Sequence, residues 1–168
     1  MEIAFHGAFR LAEPIVRGAG TVARIVELEP GIFVAPQLVE PDFAEIAARG
    51  IRSVVNNRPD GEAPGQLPNE QAEAAARRHG LAFRFLPVTS LTVTDDAVVG
   101  AFARLLGDLP RPTLLYCRSG TRCTILWTQV AAPRLGVERV LRIAAHAGYD
   151  MEVLRDDLVE RSRQLVSA

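Results

Sequence analysis

From residue 22 onward, short apolar runs alternate with stretches whose apolar residues recur at helical spacing. Residues 22–28 and Ile32–Ala35 read as two short strands around the turn Glu29-Pro30-Gly31. Pro41-Asp42 opens a helix running to Ala48, with Gly50 as its stop. Residues 51–56 form a buried-strand pattern that runs into a polar turn at 57–62 and a loop between Pro64 and Pro68. Asn69 is placed to cap a helix reaching Arg78, rich in alanine and closed by Gly80. Residues 81–86 are the next strand and 87–91 a loop. Thr94 then reads as an N-cap with Asp95 and Asp96 in the first turn, followed by the stripe Val98, Phe102, Leu105 and Leu106. After Pro110-Arg111-Pro112 comes the strand Thr113–Tyr116. Three helices follow: one marked by Ile125, Leu126 and Val130, one by Val137, Val140, Leu141 and Ala144, and one capped by Asp150 with the stripe Met151, Leu154, Leu158 and Leu165. Alternating strands and helices predict an α/β, three-layer domain with a mainly parallel sheet of four or five strands flanked by helices. Residues 1–21, broken by Pro14, Gly18 and Gly20, are set apart as an N-terminal arm, and 22–168 as one domain.

In such a sheet, ligands sit beyond the carboxyl ends of the strands. Three polar segments emerge there: 56–62, 87–91 and 117–123. The last is the most informative. An apolar strand ends in Cys117, then Arg118-Ser119-Gly120-Thr121-Arg122-Cys123 leads into a helix. Backbone N–H groups at a helix start have no intrahelical partner and face a positive dipole end, which suits an anion. A cysteine held there beside Arg118 and Arg122 is expected to have its pKa lowered, into the range of roughly 3.5–7.5 against about 8.5 for a free thiol. Gly120 supplies the backbone freedom of a tight cradle. Cys117 is therefore the candidate nucleophile, with Ser119, Gly120, Thr121 and Cys123 around the anion and Arg58 beside it.

Composition narrows the chemistry. The 168 residues carry a formal net charge of −1, which does not suit a general nucleic-acid or membrane-surface binder. Every one of the 19 basic residues is arginine, so a lysine Schiff base is excluded and the side-chain cations in the site are guanidinium groups. Two cysteines make no secreted disulfide scaffold, and three scattered histidines without Cys-x-x-Cys offer no metal site. No cofactor is expected. No apolar run approaches the ~20 residues of a membrane span, and the first residues lack a signal-peptide pattern, so a cytoplasmic location is expected. The expected partner is a small anionic substrate or a phosphorylated protein, and the arm is where a homodimer contact would be sought.

Tyr116-Cys117-Arg118-Ser119-Gly120-Thr121-Arg122, together with Asn57-Arg58-Pro59-Asp60-Gly61-Glu62 and Ala147-Gly148-Tyr149-Asp150, resembles the beta-lactamase-hydrolase-like phosphatase family, a bacterial group in the cysteine phosphatase superfamily. The resemblance implies a tyrosine-phosphatase-like fold and a phosphocysteine mechanism, with Cys117 attacking phosphorus and Arg122 clamping the equatorial oxygens. Three departures stand out. Arg122 lies five positions after Cys117, one fewer than in the wider superfamily, and that shorter loop also resembles rhodaneses, which carry a persulfide. The loop 87–91 lacks the aspartate general acid, a group typically worth ~10²–10⁴ in rate; Asp60, or Glu62, is the candidate stand-in. Cys123 stands where a serine or threonine hydroxyl usually steadies the thiolate, which raises a reversible Cys117–Cys123 disulfide or sulfur relay as a hypothesis. The leading expectation is a phosphate-monoester hydrolase; the alternatives are a rhodanese-like sulfurtransferase and a non-catalytic anion-binding module.

Overall fold

The computed structural model describes residues 15–17 and 21–166. The arm expected at 1–21 lies mostly outside these. Ile15–Arg17 (β1), in the arm, pairs antiparallel with Thr21–Ala23 (β2), which crosses the expected boundary at 21/22. The main sheet has five strands, β3 (Val26–Glu29), β4 (Ile32–Ala35), β5 (Ser53–Asn56), β6 (Ala82–Phe85) and β7 (Thr113–Tyr116), in the order β3-β4-β7-β5-β6. Only the β3–β4 pair is antiparallel; β4, β7, β5 and β6 run parallel, joined by helical crossovers. This is the α/β sheet the periodicity predicts, and β7 is its centre.

Period-two alternation sorts the strand residues to two faces. Leu114 and Tyr116 of β7 join Phe33, Ala35, Val54 and Phe83 under α1 (Asp42–Ala48) and α2 (Asn69–Arg78). Leu115, with Ile32, Val34 and Val55, packs on the other face under α3 (Asp96–Asp108), α4 (Thr121–Leu135), α5 (Val137–His146) and α6 (Arg155–Val166). Three layers result, with helices covering both faces of the sheet.

Several element ends differ from expectation, each for a local reason. The run 22–28 is divided at Arg24-Ile25 between β2 and β3. Asn69 does not cap α2. It is the first helical residue, and its N–H donates to Asp60 Oδ1 at 2.8 Å, so the cap comes from the preceding loop. The cap position of α3 is Asp95 rather than Thr94, without a side-chain cap bond. The buried stripe of α3 centres on Val99, Phe102 and Leu106, with Val98 and Leu105 at its margins. Asp150 Oδ1 accepts the Glu152 N–H and starts a 3₁₀ turn, Glu152–Leu154, that precedes α6. Met151 and Leu158 are buried, whereas Leu165, in the last turn of α6, is exposed.

Candidate active site

Cys117 follows the last residue of β7, with β4 and β5 hydrogen-bonded on either side. The chain then turns through Arg118 and Ser119 to Gly120, whose φ of 91° is left-handed, and α4 begins at Thr121. Gly120 is required here on two counts. A side chain is strained at that φ, and an added Cβ would stand 2.2 Å from Tyr149 Oη and 3.1 Å from Val34 Cγ2. Tyr149, placed by the αL turn at Gly148, lies against the loop and donates its hydroxyl to the Ser119 carbonyl at 3.0 Å. The Gly-Tyr-Asp segment therefore braces the cradle from behind.

The Cys117 sulfur is buried and accepts the Gly120 N–H at 3.2 Å. Its pKa is pulled down to about 5. The largest cause is hydrogen bonding from the Cys123 thiol, which outweighs desolvation, and the backbone N–H groups of Cys123, Ser119 and Gly120 add to it. Cys123 is fully buried, and burial pushes its own pKa well up, so it stays a proton donor. Its thiol also donates to Asn57 Oδ1 at 3.3 Å, so it serves two acceptors, that oxygen and the Cys117 sulfur. Both cysteines are free thiols.

Arg122 is held in a fixed plane. Nη1 donates to Glu62 Oε1 at 2.6 Å and to the Val88 carbonyl at 2.8 Å, and Nη2 donates to Glu62 Oε2 at 2.8 Å. Its Nε–H and second Nη2 proton remain, side by side, on the other edge of the guanidinium. Glu62 contributes most to raising the Arg122 pKa, and the Cys117 thiolate adds to it. Glu62 is in turn held down to about 2, chiefly by Arg122, then by Arg58. Arg58 is buried, donates from Nε to Glu62 Oε2 at 2.8 Å, and from Nη1 to Gln37 Oε1 at 2.9 Å. A single carboxylate thus aligns two guanidinium groups.

The three polar segments do meet. Segment 56–62 contributes Asn57, Arg58 and Glu62, segment 87–91 the Val88 carbonyl, and segment 117–123 the loop itself. Arg118 points its side chain to solvent and pairs with no carboxylate among the described residues; its carbonyl accepts the Gln37 N–H at 3.2 Å. Ser119 and Thr121 bond to each other at 2.9 Å on the exposed side of the loop. Asp60, the expected stand-in acid, has its Oδ1 on the first N–H of α2, and Glu62 is the carboxylate bonded to Arg122. Gln37 went unnoticed in the sequence. It lies just past the carboxyl end of β4, and the signal available was that β4 neighbours β7. No cluster of metal-ligating side chains occurs among the described residues, and none of their helices is long and apolar enough to cross a membrane.

Known proteins place this geometry. A beta-lactamase hydrolase-like protein of Xylella fastidiosa is 36% identical over 130 residues, 76% of this chain. The chain spans only 30% of the length of that relative. A solved structure of a phosphatase candidate from Neisseria meningitidis is 33% identical, with a TM-score of 0.73 over 80% of this chain and 96% of the other. A kinase associated phosphatase with serine in place of its catalytic-site cysteine superposes with a TM-score of 0.68 over 87% of this chain and 96% of the other. At 14% identity, that likeness establishes a tyrosine-phosphatase-like fold alone. Residues 24–133, from the link between β2 and β3 into the last turn of α4, match the model of the beta-lactamase hydrolase-like protein, phosphatase-like domain, and the chain belongs to that family.

Proposed function

We propose that this phosphatase-like domain hydrolyses phosphate monoesters, of small molecules or of a phosphorylated protein, through a phosphocysteine on Cys117. The observation that carries the reading is the juxtaposition of a buried, lowered-pKa thiol with inward N–H groups and one open edge of a pre-aligned guanidinium. In the first step the sulfur lone pair of Cys117 forms the S–P bond while the P–O bond to the leaving group breaks. The backbone N–H groups of the loop and the Nε/Nη2 edge of Arg122 offer donors to the three equatorial oxygens, and because Glu62 fixes that edge beforehand, little reorganisation accompanies the charge shift. In the second step water attacks phosphorus and the S–P electron pair returns to Cys117 as thiolate. The Cys123 S–H then fills the place of the usual hydroxyl, steadying the sulfur as leaving group.

The spacing of Cys117 and Arg122 favours a second reading, sulfur transfer through a Cys117 persulfide. One paired assay separates the two. Wild-type protein and Cys117→Ser are tested for 4-nitrophenyl phosphate hydrolysis and for thiosulfate-to-cyanide sulfur transfer. Phosphate release that disappears in Cys117→Ser is expected. Release that survives the substitution refutes the phosphocysteine. Sulfur transfer without phosphate release favours the persulfide, and inactivity in both with sulfate still bound favours a non-catalytic anion module.

A further inference from the structure

The phosphocysteine reading leaves one demand unmet: an alkoxide leaving group needs a proton as the P–O bond breaks. The candidate donors at this edge of the sheet are engaged elsewhere, Asp60 through one of its two oxygens. Both oxygens of Glu62 are bonded to Arg122, one of them also to Arg58. With its pKa at about 2, Glu62 holds no proton at a pH where Cys117 is a thiolate. Asp60 Oδ1 accepts the first N–H of α2. The segment 86–94 carries no titratable side chain. Its Val88 carbonyl is tied to Arg122, and Thr89 and Thr92 close a turn on themselves, leaving the apolar Leu91 at the tip with 89% of its surface exposed. Tyr149 donates its hydroxyl proton to the Ser119 carbonyl. The Cys123 thiol serves Asn57 Oδ1 and the Cys117 sulfur.

From this arrangement we infer that the site selects phosphoryl donors by their leaving group, taking acyl phosphates and activated aryl phosphates and turning over alkyl phosphates poorly. The inference rests on the phosphocysteine reading. The Cys117 lone pair forms S–P, the P–O bond breaks, and the leaving oxygen keeps the electron pair and departs as its anion. A carboxylate or a nitrophenolate is stable as such an anion, whereas an alkoxide is not. In the second step water supplies the new P–O bond, its protons pass to solvent and product phosphate, and the thiolate is regenerated.

The test is a leaving-group series on the wild-type chain: acetyl phosphate, 4-nitrophenyl phosphate, phenyl phosphate and glycerol phosphate. Acid-quenched mass spectrometry of the Cys117 peptide runs in parallel. From the first two donors to the last two, kcat/KM is expected to fall by at least the ~10²–10⁴-fold that a positioned acid would have supplied. A phosphorylated Cys117 peptide should accumulate with acetyl phosphate. Rates within about tenfold of one another across the series overturn the inference, because they require a protein acid. Asp60→Asn provides a second arm. The ratio between good and poor donors is expected to stay as in wild type, and selective loss of the poor donors would identify Asp60 as the acid and overturn the inference. Absence of both phosphate release and a phosphorylated peptide with every donor removes the phosphocysteine reading, and this inference with it.

Discussion

At the amino end of β7 the buried polar groups close on one another. Thr113 Oγ1 and Ser53 Oγ lie 2.7 Å apart, Ser53 Oγ donates to the Pro110 carbonyl at 2.8 Å, and the Thr113 N–H donates to the Gly31 carbonyl at 2.8 Å. At the carboxyl end of the same strand they stay partly open. Cys117 carries charge toward the loop, and Arg122 keeps one edge of its guanidinium uncommitted to protein oxygens. Buried polar groups are costly unless satisfied. A closed set therefore marks structure, and a set left incomplete around a thiolate marks a place for a ligand. The two ends of one strand separate these cases within a few residues.

The sharpest way to break the contrast is at Arg122. Arg122→Lys keeps a positive charge but cannot span both Glu62 oxygens, the Val88 carbonyl and a phosphate edge at once. Because its partners are aligned for a planar fork, kcat toward 4-nitrophenyl phosphate should fall by about 10²–10³, with thermal stability changed far less. Steady-state kinetics beside a thermal melt check both. A loss below about tenfold would mean that the open edge does not meet the transition state.

How much of this end could be read in the sequence depended on distance along the chain. The cradle was legible because it is local: strand, Cys117, the αL glycine and the helix start follow one another without a break. The convergence of 56–62 and 87–91 on it followed from a parallel sheet, whose strands all deliver their exits to one edge. The choice between Asp60 and Glu62 did not follow. They are two residues apart on one turn, and only the placement of α2 engages the first and the placement of Arg122 engages the second. Tyr149 sat in a recognisable motif, but its bond to the Ser119 carbonyl depends on how α5 packs. Gln37 belonged to no motif, and its place just past β4 matters only because β4 lies beside β7.

A smaller effect concerns the origin of the thiolate. The Cys123 S–H is the largest cause of the low Cys117 pKa, so Cys123→Ala should raise it toward the usual thiol value, whereas Cys123→Ser retains a donor. The folded pKa of Cys117 lies below the unfolded value. Its ionisation therefore stabilises the fold above the ordinary thiol range, and that contribution is lost as pH falls through about 5. Iodoacetamide alkylation followed against pH reads the thiolate directly. The midpoint should stay near about 5 in wild type and shift upward in Cys123→Ala, with Cys123→Ser in between. An unshifted Cys123→Ala would assign the low pKa to the backbone N–H groups alone.

The smallest effect on activity belongs at the other end of β7. Thr113→Val preserves the strand and the shape of the side chain but removes one hydroxyl from the closed set, leaving Ser53 Oγ bonded only to the Pro110 carbonyl. Losing one buried hydrogen bond costs about 0.5–1.5 kcal/mol. For a domain of this size that is a fall in Tm of about 2–4 °C per kcal/mol. Because β7 is only four residues long, it also tests whether the two ends are independent. Phosphate release by Thr113→Val is expected to match wild type at temperatures below its melt, since no atom of the closed set reaches the loop. A drop in kcat together with the drop in Tm would show that the hydroxyl pair sets the register of β7 against β4 and β5, and through it the position of the Cys117 sulfur.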